Sequence, residues 1–238
     1  MKIGVFDSGI GGLTVLKSLI SKYKAHYIYF GDTLNIPYGE KSKDELLMLT
    51  EKIIRFFEKE KVDLIIVACG TVSSNIYDEL SKKTNIKMIN IVYNIIDLIK
   101  KDNPSNIAVL ATKKTIDSHI FKNNINNIIE ISCPKIVPYI EKNIGNINDI
   151  LKEYLSYIKE KHINNIVLGC THYPLIKKDI QEYLDYKVNF YDMGKILLKN
   201  IKESNLKIEM YFSYLDENLI KNINNIIKED KSINKLIL

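Results

Sequence analysis

Cys69 and Cys170 occupy matching settings in a chain of 238 residues. Each follows a short apolar run, and each has a threonine within two residues, Thr71 in one case and Thr171 in the other. A thiol has a reference pKa of about 8.5 and serves as either acid or base near neutral pH after a modest shift. Two thiols flanking one carbon could take a proton from one face and return another to the opposite face, the minimum needed to invert a stereocentre. Taken singly, either cysteine has an ordinary alternative as a small buried apolar side chain at a strand end. Their shared setting is what argues for chemistry, and Cys133, beside Pro134, lacks it and reads as structural.

Four segments hold the polar groups such chemistry would need: Asp7-Ser8-Gly9-Ile10-Gly11-Gly12, Pro37-Tyr38-Gly39, Ala68-Cys69-Gly70-Thr71-Val72-Ser73-Ser74 and Gly169-Cys170-Thr171-His172-Tyr173-Pro174. Gly70, Thr71, Ser73 and Ser74 offer amides and hydroxyls at an inferred helix start, suited to a carboxylate and expected to favour the Cys69 thiolate. Helix capping is the alternative for Ser73 and Ser74. Thr171 offers the matching contact on the other side, and His172 is placed to orient or protonate Cys170. Asp7 and Ser8 open a glycine-rich turn that permits close backbone approach to a ligand. That turn lacks the GxGxxG spacing of a dinucleotide loop. Asp32 is a candidate for a supporting position behind the site, or for a simple turn cap.

The elements that must position these groups alternate between short β-branched or aromatic runs and longer helical patterns, the signature of a parallel α/β architecture. The predicted strands are Ile3–Phe6, Tyr27–Phe30, Leu64–Ala68, Met88–Val92, Ile107–Leu110, Ile166–Leu168 and Val188–Tyr191. Helices are predicted over Leu13–Lys22 and Asp44–Lys59, with Ser42 and Glu45 as a capping box. A weak internal repeat lays Ile3-Gly4-Val5-Phe6-Asp7-Ser8 on Ile107-Ala108-Val109-Leu110-Ala111-Thr112, after which each half runs a similar distance to its cysteine. The pattern implies two pseudo-symmetric α/β lobes with mainly parallel sheets, each supplying one thiol from a strand end to a cleft between them. The first lobe is assigned to residues 1–97 plus 195–238 and carries Cys69; the second, residues 98–194, carries Cys170. The turn-rich stretch Asp102-Asn103-Pro104-Ser105 marks the crossing.

Composition narrows the function classes. The net charge is +5, but the charges are interspersed and Arg55 is the only arginine, a poor basis for reading nucleic acid. No apolar run approaches the roughly 18 residues of a membrane span, and the N-terminus has no secretory pattern. Three cysteines without CxxC spacing argue against a disulfide scaffold or a structural zinc site. A cytoplasmic protein is expected.

Together the four segments resemble the glutamate racemases of the aspartate/glutamate racemase family, in order and rough separation, over most of the chain. The Gly169–Pro174 segment is the most specific. The resemblance implies interconversion of L- and D-glutamate without pyridoxal phosphate or metal, supplying D-glutamate for peptidoglycan synthesis. It also implies Cys69 and Cys170 as the two bases, assisted by Asp7 and His172. Asp7, Ser8, Tyr38, Gly39, Gly70, Thr71, Thr171 and His172 become the substrate contacts. The expected partner is glutamate, with neither nucleic acid nor membrane required, and a homodimer is the base-rate assembly. Two positions depart from the family pattern: Gly70 replaces an asparagine, removing a side-chain amide, and Tyr93 takes the acidic position of a Glu-Pro pair. Two other readings stay open: a racemase of aspartate, another small acid or a hydantoin, against which His172 favours the glutamate type, and a non-catalytic binding module on the same fold. Because paired thiols need no electron sink, racemase activity is expected to survive exhaustive dialysis with a chelator and a carbonyl reagent; loss on chelation with recovery on adding metal overturns the expectation.

Overall fold

The computed structural model describes residues 1–196, 198 and 201–238. Among the described residues ten strands are formed: β1 Lys2–Asp7, β2 His26–Gly31, β3 Leu64–Val67, β4 Lys87–Asn90, β5 Ile107–Ala111, β6 Ile129–Ser132, β7 Asn165–Leu168, β8 Asn189–Asp192, β9 Lys207–Phe212 and β10 Ser232–Lys235. They make two wholly parallel sheets, ordered β10-β9-β2-β1-β3-β4 and β6-β5-β7-β8. The central strands are buried on both faces, which is why they read as continuous apolar runs. In register, Val5 lies beside Ile66 in one sheet and Val109 beside Val167 in the other.

The internal repeat is topological. The order β2-β1-β3-β4 matches β6-β5-β7-β8, so β1 corresponds to β5 and β3 to β7. Cys69 follows β3 after one residue, and Cys170 follows β7 after one residue. One hydrophobic cluster joins the lobes, with Val5 and Ile66 of one sheet, Val109, Val167 and Tyr191 of the other, and Ile91, Ile95 and Ile99 of the helix Ile91–Asp102. The remaining sheet faces have their own cores, one around Phe6, Phe57 and Val67 and one around Leu110, Leu155 and Leu168. The helix Lys43–Lys59 covers the first of these and starts on the expected capping box: Glu45 N–H donates to Ser42 Oγ at 3.2 Å, and Ser42 N–H to Glu45 Oε2 at 2.7 Å.

Three strands were missed by pattern. β6 is half-buried along its length, β9 alternates buried positions with exposed or half-buried ones, and β10 is a polar edge of Ser-Ile-Asn-Lys. Their polar residues break the apolar signal that marked the central strands. The expected strand Met88–Val92 ends instead at Asn90. That side chain accepts from Val92 N–H at 2.8 Å and Tyr93 N–H at 3.2 Å, starting the helix, and donates to the Ser73 carbonyl at 2.7 Å. Among the described residues no helix is long and apolar enough to cross a membrane. Since Asn90 both caps a helix and pins the Cys69 segment, Asn90→Ala is expected to lower unfolding free energy by about 2 kcal/mol. Urea denaturation checks this, and a loss below about 0.5 kcal/mol contradicts it.

Candidate active site

The carboxyl ends of β1, β3, β5 and β7 converge on a cavity of about 440 Å³ lined by Ser8, Tyr38, Gly39, Cys69, Gly70, Thr71, Cys170, Thr171 and His172. Both thiols face this space, Cys69 from one lobe and Cys170 from the other, as expected of ligands at strand ends in open parallel sheets.

On the first wall, Cys69 occupies the cap position of the helix Gly70–Asn75, in extended backbone, with its carbonyl accepting from Ser73 N–H at 2.9 Å. Its thiol donates to Ser8 Oγ at 3.8 Å. The helix start pulls toward the thiolate as expected, through the Val72 amide, but other effects oppose it. Burial pushes the thiol up to about 12, and the charge of Asp7 adds to it. The Val72 amide and Ser8 pull the other way and lose. For Ser73 and Ser74 the structure favours a structural role at the helix over a place in the cavity. Ser73 Oγ donates to the Val67 carbonyl at 3.0 Å and Ser74 Oγ to the Thr71 carbonyl at 3.2 Å, so both hydroxyls brace the helix and neither lines the cavity.

On the second wall, Cys170 Sγ lies 3.7 Å from His172 Nδ1, and His172 Nε2 lies 2.6 Å from Glu141 Oε1. The same carboxylate oxygen accepts from Ile10 N–H at 2.9 Å. Burial alone lowers the His172 pKa, but hydrogen bonds to Cys170 and Glu141, with their charges, outweigh it and hold the imidazole well above its usual value. Glu141 lies on the helix Ile136–Lys142 and was not foreseen, because its contact with His172 spans 31 residues and no local spacing announces it.

Asp7 was expected to line the cleft, yet it lies behind it. Its two carboxylate oxygens accept from Gly9 N–H and Thr171 Oγ1, each at 2.9 Å. Burial raises its pKa against the opposing pull of His172 and these hydrogen bonds. The glycine-rich turn also makes room for neighbouring side chains. A Cβ on Gly9 would lie 2.1 Å from Glu141 Oε1, one on Gly11 2.4 Å from His172 Nδ1, and one on Gly12 2.5 Å from the Asp7 Cβ. The turn is glycine so that these charged groups can press against it.

Tyr38 faces the cavity, but its hydroxyl donates backward to Asp32 Oδ2 at 2.6 Å. Asp32 also accepts from Asn35 at 2.9 Å and Ser213 at 2.7 Å, which makes it the anchor of the Tyr38 turn. Thr112, also on the cavity wall, meets Thr71 hydroxyl to hydroxyl at 3.1 Å across the lobes. The internal repeat aligns Thr112 with Ser8, a signal that could have found it. Tyr93 packs edge-on against Tyr77 and lies outside the cavity. Among the described residues no three His, Cys, Asp or Glu side chains gather into a metal site.

His172 Nε2 is hydrogen-bonded to Glu141, whose charge favours the protonated ring, so replacing it with glutamine removes that support. Glu141→Gln is expected to lower the His172 pKa, read by NMR of the imidazole resonances against pH. An unchanged titration contradicts the assigned cause.

Residues 3–201 match the family described as Asp/Glu/Hydantoin racemase. A protein from Fusobacterium nucleatum named glutamate racemase is 43% identical over 199 residues, 79% of this chain and 75% of that protein. One of the same name from Aquifex pyrophilus is 34% identical over 233 residues, covering 92% of this chain and 91% of that one. The crystal structure of glutamate racemase from Francisella tularensis in complex with D-glutamate superposes with a TM-score of 0.83 at 30% identity, covering 100% of this chain and 97% of that chain. Family model, relatives and solved fold agree, and the chain belongs to the Asp/Glu/hydantoin racemase family.

Proposed function

We propose that the protein is a glutamate racemase, in which Cys69 and Cys170 exchange a proton at Cα of glutamate from opposite faces. The observation that carries this reading is the pair of thiols lining one cavity from two lobes, each at the end of the corresponding strand. Relatives at 30% identity and above that bear the name glutamate racemase support the choice of substrate.

The proton balance is simple. One sulfur, as thiolate, takes the Cα proton; the other, as thiol, gives its proton to the opposite face. The carbon is inverted and the two sulfurs exchange states. Burial favours the thiol form of Cys69, which suits it to donate first. A thiolate formed on Cys170 faces the imidazolium of His172. Glu141 and Asp7 are positioning residues in this scheme, the first acting through His172 and the second through Thr171. Ser8, Tyr38, Gly39, Gly70, Thr71 and Thr171 contact the substrate, Gly70 through backbone alone. The lobes are residues 1–97 plus 195–238 and residues 98–194. The physiological setting is a cytoplasmic homodimer supplying D-glutamate for peptidoglycan, with no cofactor.

Cys69→Ser and Cys170→Ser should each lower racemisation of L- and D-glutamate about a thousandfold or more, since a hydroxyl is a far weaker base in nearly the same volume. Circular dichroism at fixed wavelength reads the reaction, and each variant should still eliminate a good leaving group from one enantiomer of a β-substituted glutamate. Near-normal racemisation in either variant removes the two-thiol mechanism. Turnover of aspartate but not glutamate would move the substrate, and absence of solvent-deuterium exchange at Cα of any amino acid would leave a binding module.

A further inference from the structure

The cavity between the thiols meets an anionic substrate mainly with neutral groups already engaged. Thr171 donates to Asp7. Thr71 and Thr112 share a hydrogen bond at 3.1 Å, and Thr112 reaches Thr115 at 3.0 Å. Position 70 adds no side chain and has no room for one: a Cβ there would lie 2.9 Å from the Gly169 carbonyl oxygen and 3.2 Å from Met193 Cε. A dicarboxylic amino acid brings a second carboxylate, and removing that charge from water is unfavourable unless another charge meets it.

Among the described residues three basic ones line the cavity. His172 is buried and committed to Cys170 and Glu141. Lys113 is paired with Asp117 at 2.6 Å. Lys114 is half-buried and forms no ion pair among the described residues. Its backbone is held at the seam of the lobes: the Lys114 carbonyl accepts from Asn75 Nδ2 at 3.3 Å, and the adjacent Thr115 hydroxyl accepts from Ser74 at 3.3 Å. Both donors sit on the helix that Cys69 begins. The carboxylates facing Lys114, Glu40 on the rim and Glu45, which feels the Lys114 charge, are both exposed, where solvent and salt screen them.

We infer that Lys114 is the specificity-determining cation of this site, receiving the side-chain carboxylate of a dicarboxylic amino acid where Gly70 offers no side chain. The inference rests on the two-thiol racemase reading for the identity of the substrate, but its readout is binding. D-glutamate and D-glutamine are titrated calorimetrically into the full-length protein and into its Lys114→Gln and Lys114→Arg variants. The wild type should prefer glutamate. Lys114→Gln should weaken D-glutamate about tenfold and move D-glutamine less than about twofold, while Lys114→Arg, which keeps the charge, should retain most of the preference. In turnover the same loss should fall on KM, with kcat within about threefold, because Lys114 does not touch the reacting carbon. An unchanged glutamate-to-glutamine ratio in Lys114→Gln, or a wild type that binds both alike, overturns the inference even if glutamate is racemised. A lysine-dependent preference without racemisation would instead retain the site and remove the racemase reading.

Discussion

Asp7, Glu141 and His172 are three ionisable side chains taken out of solvent within one small region, and the geometry of the active site follows from the need to satisfy them together. A buried charge left unpaired costs several kcal/mol. Here Glu141 accepts from both His172 and the Ile10 amide, and Asp7 from both the Gly9 amide and Thr171. Among the described residues no buried side-chain polar atom is left without a partner. Because these bonds join positions 131 and 164 residues apart, the electrostatics of the site also hold the two lobes in register. The glycines of the first turn are part of the same constraint, since any side chain at Gly9 or Gly11 would displace Glu141 or His172.

The frame is repeated but its charges are not. β3 and β7 deliver their cysteines from equivalent places, yet Cys69 is near the negative charge of Asp7 and Cys170 is hydrogen-bonded to His172. Two chemically identical groups therefore begin in different electrostatic settings, which is what allows one to be protonated and the other deprotonated at the same pH. The apolar cluster shared by both sheets keeps this asymmetry in place, because shifting one lobe against the other would disturb a packed core as well as the hydrogen bonds.

Much of the fold could be read from the chain because central parallel strands are buried on both faces and leave unmistakable apolar runs, and because Ser42 and Glu45 carry their capping instructions locally. The same logic explains the omissions. β9 and β10 mix polar and apolar residues, and Asn90 looks like the interior of a strand until its side chain is seen capping the next helix.

For the site, residue type and spacing were enough to single out Cys69, Cys170, Ser8, Tyr38, Gly39, Gly70, Thr71, Thr171 and His172, all of which line one cavity. These lie in short segments whose chemistry is local to the turn after a strand. Glu141, the backward turn of the Tyr38 hydroxyl, the retreat of Asp7 behind the wall and the particular carbonyls that Ser73 and Ser74 bond were not legible. Each depends on which distant partner a side chain finds, and on how far burial shifts a thiol or an imidazole. Those are properties of packing and of dielectric surroundings, which come into being only when both lobes close around the same polar groups.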